Sequence, residues 1–408
     1  MDYIHRAAEE KFLRMSDFFK AVLITGARQV GKSTMLQQLA KNQKRTFVSL
    51  DNIEARELAQ TDPELFFQRY KPPVVIDEVQ YAPQLFNQIK ILCDNSELTG
   101  QFWLTGSQKY SMMKGITESL AGRIGIMELH SFSQSELSGY KFTEPLIFNL
   151  DSLLKRETTT QSTDISKVFA TIWQGGMPQV KNANPEQRQQ YFDSYVNTYL
   201  LRDVMEIGHV TDTIKFRKFL TACAASTGQQ INIVKLASVA EISQPTANLW
   251  LKLLESMNII YLLRPYFNNR LKRLAKASKL YFWDTGLCAF LTKWPTPEVL
   301  SNGAANGAFF ETFVVTELLK GYAYSAVTTD ISYYRDSNSK EIDLFIQLDQ
   351  VIHPLEIKLS AKPDKQEVKK FDVIEKAGLK RGNGGIICMC ETVLLINRTD
   401  FLIPVRIL

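Results

Sequence analysis

The sequence predicts an α/β protein in three blocks: a doubly wound parallel sheet over residues 1–145, a helical, winged-helix-like middle over 165–300, and a second α/β unit over 301–408. Three observations predict it. Up to about Tyr140, short apolar β-branched runs alternate with helix-period patterns, as in a parallel sheet covered by helices on both faces. From about Ile165 to Asn268 the helical period dominates. Beyond about Asn302 strand patterns return with helices on either side. At 408 residues there is room for about two to three domains with cores of their own.

The first strand is Ala21-Val22-Leu23-Ile24, and a helix follows over Thr34–Ala40. Between them Gly26-Ala27-Arg28-Gln29-Val30-Gly31-Lys32-Ser33 fits the phosphate-loop pattern. A glycine-rich turn opening a helix aims backbone N–H groups, and the positive end of the helix dipole, at an anion. Residues 26–34 are therefore expected to bind ATP, with Lys32 on the β- and γ-phosphates and the Ser33 hydroxyl on Mg²⁺.

Pro72-Pro73-Val74-Val75-Ile76-Asp77-Glu78 supplies a second buried strand ending in two carboxylates. Asp77 is expected to hold Mg²⁺, directly or through water, and Glu78 to polarise the attacking water. A third strand, Gln101–Leu104, ends in Thr105-Gly106-Ser107. A hydroxyl at that strand end senses the γ-phosphate, and Ser107 is preferred over Thr105. Arg123 is the candidate cation for charge developing on the transferring phosphoryl group, with Arg202 a weaker rival. Acting in trans, such an arginine would require a homo-oligomer.

Glu157–Asp164 is polar, threonine-rich and without apolar period, and reads as a linker. In the middle block Ile233–Ala240, a turn at Glu241-Ile242-Ser243 and a helix over about Pro245–Ser256 form a helix-turn-helix pattern, with Gln244 or Ser243 as the cap. Leu249, Leu253 and Leu254 are expected to face inward, leaving Gln244, Thr246, Asn248 and Lys252 to touch DNA. Strand Ile259–Leu263 follows, then Arg264, Arg270, Lys272, Arg273, Lys276 and Lys279 with no acidic residue among them. A wing this basic could neutralise phosphates. The bland alternative is an intramolecular connector whose charges are merely solvated.

The last block opens on the helix Phe309–Leu319, with Glu311 near its start, then strand Ile331–Arg335 and the turn Asp336–Ser339. Glu341–Ile346 and Ile352–Lys358 form a hairpin around Leu348-Asp349-Gln350. Strand alternation puts Glu356 and Lys358 on one side, and the pairing brings Asp343 alongside Glu356. Such a trio suits metal-assisted phosphodiester hydrolysis, with Glu311, Asp343 and Glu356 around a second metal and Lys358 activating water. The alternative is a surface ion pair between Glu356 and Lys358, worth little energetically.

With these residues in view, the chain resembles the AAA+ superfamily ATPases of bacteria and archaea that end in a domain of unknown function related to restriction endonucleases. The resemblance runs through Gly26–Ser33, Val75–Gln80, Leu104–Ser107, Leu120–Arg123, Gly175–Pro178, Tyr199–Asp203, Phe282–Leu287, Glu311, Glu341–Asp343 and Glu356–Lys358. It implies an N-terminal P-loop AAA+ ATPase domain, a winged-helix-like middle and a C-terminal PD-(D/E)xK restriction-endonuclease-like core. Two functional classes follow. One is an ATPase coupling nucleotide state to DNA binding or processing. The other is a nucleotide-dependent switch or scaffold whose C-terminal domain binds protein or nucleic acid without cleavage. ATP and Mg²⁺ are the expected cofactors, and DNA the expected macromolecular partner.

Composition adds outer limits. No run of ~18 apolar residues occurs, so no membrane span is expected. The first ten residues lack a signal-peptide core, and five scattered cysteines without a C-x-x-C pair fit a reducing cytoplasm. A net charge of +5 is mild for this length, so its distribution matters more than its sum.

Overall fold

A computed structural model describes the chain except residues 1–2, 42, 108–115, 117, 141, 143, 209, 267–276 and 337–339, with backbone only at 206–208. The N-terminal block is a parallel five-stranded sheet in the order β2-β3-β4-β1-β5. Its strands are β1 (Ala21–Thr25), β2 (Thr46–Ser49), β3 (Val74–Asp77), β4 (Phe102–Thr105) and β5 (Ile124–Glu128). All of β1, β3 and β4 is buried, as continuous apolar runs require. Alternation divides them: Val22, Ile24, Val75 and Trp103 join one apolar cluster, while Ala21, Leu23, Ile76 and Leu104 join the other.

The first cluster is not confined to one block. It runs from Phe12 and Met35 through Phe169, Tyr195, Phe219 and Tyr281 to Phe313, Leu355 and Leu408. Each fully buried side chain of this size contributes about 1.5–3 kcal/mol. The three blocks are therefore welded by one shared core.

The helix-turn-helix forms as expected, with helices Ile233–Ala240 and Gln244–Ser256, and Ser243 as N-cap accepting from the Thr246 N–H. The buried face of the second helix differs from the expected one. Leu249 is 57% exposed, whereas Trp250 and Leu251 turn inward beside Leu253 and Leu254. Helix Thr213–Ala224 decides this, because Phe216 and Phe219 pack their rings edge-on to Trp250 at 5.1 and 5.6 Å. A three-stranded sheet in the order β6-β8-β7 completes the winged-helix-like unit, with β6 (Gln229–Gln230), β7 (Ile260–Leu263) and β8 (Lys279–Phe282).

The C-terminal block is a mixed sheet on the helix Asn306–Tyr324. Its hairpin, β10 (Glu341–Leu348) with β11 (Val351–Lys358), pairs Leu344 with Leu355. Strand β9 (Thr329–Arg335) flanks β10, and β12 (Gly384–Cys388) runs parallel to β11.

The presumed linker is partly helix. Leu150–Thr159 is helical and capped by Asn149, so only residues beyond it form a loop. Glu157 is no solvated tether either: it accepts from the Val393 N–H at 2.8 Å and pairs with Arg406 at 3.5 Å, joining this helix to the chain end. The Gly175-Gly176 turn also has a physical reason. Gly175 has φ 79°, and a Cβ there would come within 2.5 Å of Asp284 Oδ1. Asp284 in turn caps the helix Thr285–Leu291 and accepts from the Gly176 N–H. Two motifs far apart in sequence are thus halves of one contact.

Candidate nucleotide site and C-terminal carboxylate cluster

The loop after β1 has the shape an anion cradle requires. Gly26 has φ 139°, and a Cβ there would lie 2.1 Å from the Leu129 carbonyl oxygen, so only glycine fits. Gln29 and Gly31 also have positive φ, at 62° and 96°. Helix Lys32–Ala40 then begins with no side chain capping its first N–H groups, which face the loop. Lys32 Nζ donates to the Gly26 and Ala27 carbonyls at 3.0 and 2.8 Å.

Burial lowers the Lys32 ammonium to about 8, with Glu78 and Asp77 pulling back and Arg28 adding to the depression. Relative to the unfolded chain the folded protein therefore releases protons from Lys32 between about pH 8 and 10.5, and the cost of its charge is present below that window. Phosphates arriving at the loop restore the charge. Nucleotide binding at pH 8 is thus expected to take up about half a proton, and much less at pH 7. Calorimetry in buffers of different ionisation enthalpy checks this, with proton release as the contrary result.

At the ends of β3 and β4, Asp77 Oδ1 accepts from the Ser33 and Thr105 hydroxyls, each at 2.5 Å. Strand β4 separates β3 from β1, yet the carboxylate reaches the loop helix. A buried carboxylate held by hydroxyls rather than by a cation is a donor set that suits Mg²⁺. Ser33 and Asp77 would hold that ion, which would supply charge neutralisation between phosphates.

Glu78 follows with φ 57°, a left-handed conformation uncommon for a residue with a side chain. Its N–H donates to Thr105 Oγ1 at 3.0 Å. Its carboxylate accepts from Gln80 Nε2, which also reaches Ser107 Oγ at 3.4 Å. Thr105 thus braces Asp77 and Glu78, while Ser107 connects to Glu78 through Gln80. Gln80 carried no role in the sequence reading, although its place two residues after Glu78 was the available signal.

Two further side chains fix the loop. Arg6, buried, donates to the carbonyls of Val30 at 2.8 Å and His130 at 2.7 Å, and to Glu136 Oε1 at 3.1 Å. Arg28 makes a two-pronged pair with Asp203: Nε to Oδ2 at 2.5 Å and Nη2 to Oδ1 at 2.7 Å. Asp203 lies on the helix Leu201–Gly208, directly after a π-helical turn at Tyr195–Leu200. A cavity of about 10 Å³ lies between Arg28, Ser107, Tyr195, Tyr199 and Asp203, and one of about 20 Å³ between Ala27, Val30, His130 and Trp283. Neither holds more than about one water. The middle region therefore roofs the phosphate loop.

The structure does not bring Arg123 there. Its carbonyl accepts from the Ala21 N–H, at the start of β1, and the loop follows the far end of that strand, ~13 Å away. Its guanidinium pairs with Asp94 at 2.5 Å. Strand order thus places Arg123 away from the phosphate loop of its own chain. Arg202 is exposed, while its neighbour Asp203 is buried against the loop.

Of the DNA candidates, Gln244, Asn248 and Lys252 are exposed on one helix, and Thr246 is half-buried against the Ser243 cap. Arg270, Lys272, Arg273 and Lys276 lie outside the described residues. Lys279, counted from sequence in the basic wing, is 3% exposed.

Its ammonium instead joins the C-terminal carboxylates. Lys279 Nζ lies 3.1 Å from Glu311 Oε1, 2.7 Å from Glu341 Oε1 and 3.6 Å from Asp343 Oδ1. Tyr281 donates to Glu311 Oε1 at 2.7 Å, and the Ile357 N–H donates to Asp343 Oδ2 at 2.9 Å. Glu356 Oε2 pairs with Lys370 at 2.7 Å and Lys358 at 3.0 Å, while Oε1 makes no hydrogen bond. Burial, then Asp343, raises Glu356 to about 7, against the pull of its lysines. Burial and Asp343 likewise raise Glu311. The hairpin and the Glu356–Lys358 side match the sequence reading. Among the described residues no group of three or more His, Cys, Asp or Glu side chains is arranged to hold a metal, and Glu356 meets Lys358 and Lys370 instead.

Comparison with known proteins gives three family matches along the chain. Residues 18–138 match the AAA domain family. Residues 165–298 and 306–408 match two domains of unknown function, DUF8612 and DUF4143. Uncharacterized proteins of Mycobacterium tuberculosis and Mycobacterium bovis are each 28% identical over 345 residues, covering 84% of this chain and 71% of theirs. Among solved structures, a Walker-type ATPase of Pyrococcus abyssi aligns at 15% identity and TM-score 0.45, over 71% of this chain and 96% of that one. The RuvB Holliday junction branch migration motor of Thermotoga maritima aligns at 16% identity and TM-score 0.30, over 66% and 91%. The parallel five-stranded sheet of the N-terminal block lies within the residues that match the AAA domain family. No described helix is long and apolar enough to cross a membrane.

Proposed function

We propose that the protein is a Mg²⁺-dependent ATPase that uses nucleotide state to reposition its middle region over the phosphate loop. The observation that carries the reading is the joined Ser33–Asp77–Thr105 set beside Lys32, which preassembles the metal and phosphate groups of one site. Lys32 receives the β- and γ-phosphates, Ser33 and Asp77 hold Mg²⁺, and Glu78 polarises the attacking water, with Ser107 and Gln80 orienting it. The Arg28–Asp203 pair supports the coupling. An incoming phosphate competes with Asp203 for Arg28, so binding and movement of helix Leu201–Gly208 are linked.

Two readings of the output remain in play, each with its own support. Exposed Gln244, Asn248 and Lys252 on the second helix favour contact with DNA. The lysine-filled carboxylates favour a C-terminal domain that binds without cutting. A divalent-metal nuclease would lose cutting in Asp343→Ala while keeping ATP turnover. The deciding measurement is ATP turnover with Mg²⁺, alone and with single-stranded, duplex and branched DNA. Stimulation by any of them supports the DNA-coupled ATPase; turnover indifferent to all of them favours a switch acting on a protein. Absence of turnover under every condition would overturn the ATPase reading.

A further inference from the structure

Lys279 belongs to β8 of the middle region, yet its ammonium sits among carboxylates of the C-terminal block. We propose that Lys279 is the resident cation of the Glu311–Glu341–Asp343 cluster, and that the cluster locks the middle region to the C-terminal sheet instead of holding a divalent metal.

Geometry carries this first. Oxygens bind Mg²⁺ or Ca²⁺ at about 2.0–2.6 Å. Here the three carboxylates surround one nitrogen at 2.7–3.6 Å, the spacing of hydrogen bonds and ion pairs to an ammonium. The lysine side chain is only 4% exposed, so it is not a surface charge resting nearby. Its strand is fixed, since Lys279 pairs with Leu263 on one side and Gln230 on the other. Tyr281, two residues along β8 on the same face, donates to the same Glu311 oxygen. β8 therefore presents a matched ammonium and phenol to one carboxylate.

Charge balance points the same way. Arg335 also pairs with Glu341, and the adjoining Glu356 and Glu367 are met by Lys358 and Lys370. Five carboxylates thus face four protein cations, leaving little negative charge for a divalent ion. The seam holds elsewhere too. Thr227 and Thr312 hydroxyls meet at 2.9 Å, and Tyr333 donates to the Ala277 carbonyl at 2.6 Å. Removing the ammonium therefore leaves other contacts to keep the regions docked.

The test uses the full nucleotide-free chain in an Asp77→Asn background, which silences the phosphate-loop metal site, and follows free Mn²⁺ by electron paramagnetic resonance. With Lys279 in place no Mn²⁺ site with Kd below about 1 mM is expected. Lys279→Ala should gain one site, which Asp343→Asn then removes, and its Tm should fall by roughly 5 °C and recover in part with Mn²⁺. Lys279→Arg should gain none. Mn²⁺ bound with Lys279 present and lost on Asp343→Asn overturns the proposal, because the cluster would then be a metal site from which the lysine steps aside. So does a Lys279→Ala chain that melts like its parent and gains no site. Should Lys279→Ala fail to fold, the Lys279-intact chain and Lys279→Arg still decide.

Discussion

Lys32→Ala is expected to weaken ATP binding by about 100-fold or more and to take turnover below detection, without lowering the stability of the nucleotide-free protein. A charge-assisted contact to phosphate inside a buried site is worth about 3 kcal/mol, which sets the scale. The stability half of the expectation follows from burial. An ammonium lowered to about 8 is a cost to the empty fold at neutral pH, offset only by two bonds to loop carbonyls. Removing it therefore relieves as much as it loses. Equilibrium binding of a fluorescent nucleotide, with a thermal melt as control, separates the two. Binding retained within a few-fold would remove Lys32 from the phosphate contact; a lower melting temperature would attribute the loss to folding.

Glu78→Gln should bind ATP with affinity close to that of the parent and hydrolyse it roughly 100-fold or more slowly. The Glu78 side chain makes its hydrogen bond with Gln80, not with the loop, so its charge is available for a water rather than for phosphate. Glutamine keeps the shape and the backbone bond to Thr105 but cannot take a proton. A second consequence distinguishes loss of charge from distortion. Glu78 is the largest of the influences holding the Lys32 ammonium up, so its neutralisation should lower Lys32 further. Proton uptake on nucleotide binding at pH 8 should then grow relative to the parent. Equal turnover in single-turnover assays would exclude Glu78 from the reaction, and unchanged proton uptake would contradict the electrostatic link.

The parts of the site that were legible share one property: their function is written in consecutive residues. A phosphate cradle requires adjacent backbone N–H groups and glycines at set offsets, so Gly26–Ser33 announces itself, and Asp77-Glu78 does so because a buried strand must end at the sheet edge where the loop lies. Strands β1, β3 and β4 were readable from apolar runs, and the β10–β11 hairpin from its period and turn. Arg28 was placed in the loop correctly, but its partner Asp203 stands 175 positions away, beyond any local pattern. Arg123 carries no local signal that separates action in cis from action in trans, and strand order puts it at the end of β1 away from its own chain's loop. Leu249 looked buried until the rings of Phe216 and Phe219 chose Trp250.

By itself, the sequence determined the α/β class of the N-terminal block and its phosphate-loop pattern, because that pattern is carried by a short segment whose conformation is local. Only the tertiary structure decided what the charged residues elsewhere do. Lys279 and its neighbours in sequence read as one basic stretch, yet a charge takes its role from what lies around it in space. Packing of β8 against the helix Asn306–Tyr324 and the β10–β11 hairpin turned that lysine from an expected phosphate contact into the buried partner of three carboxylates.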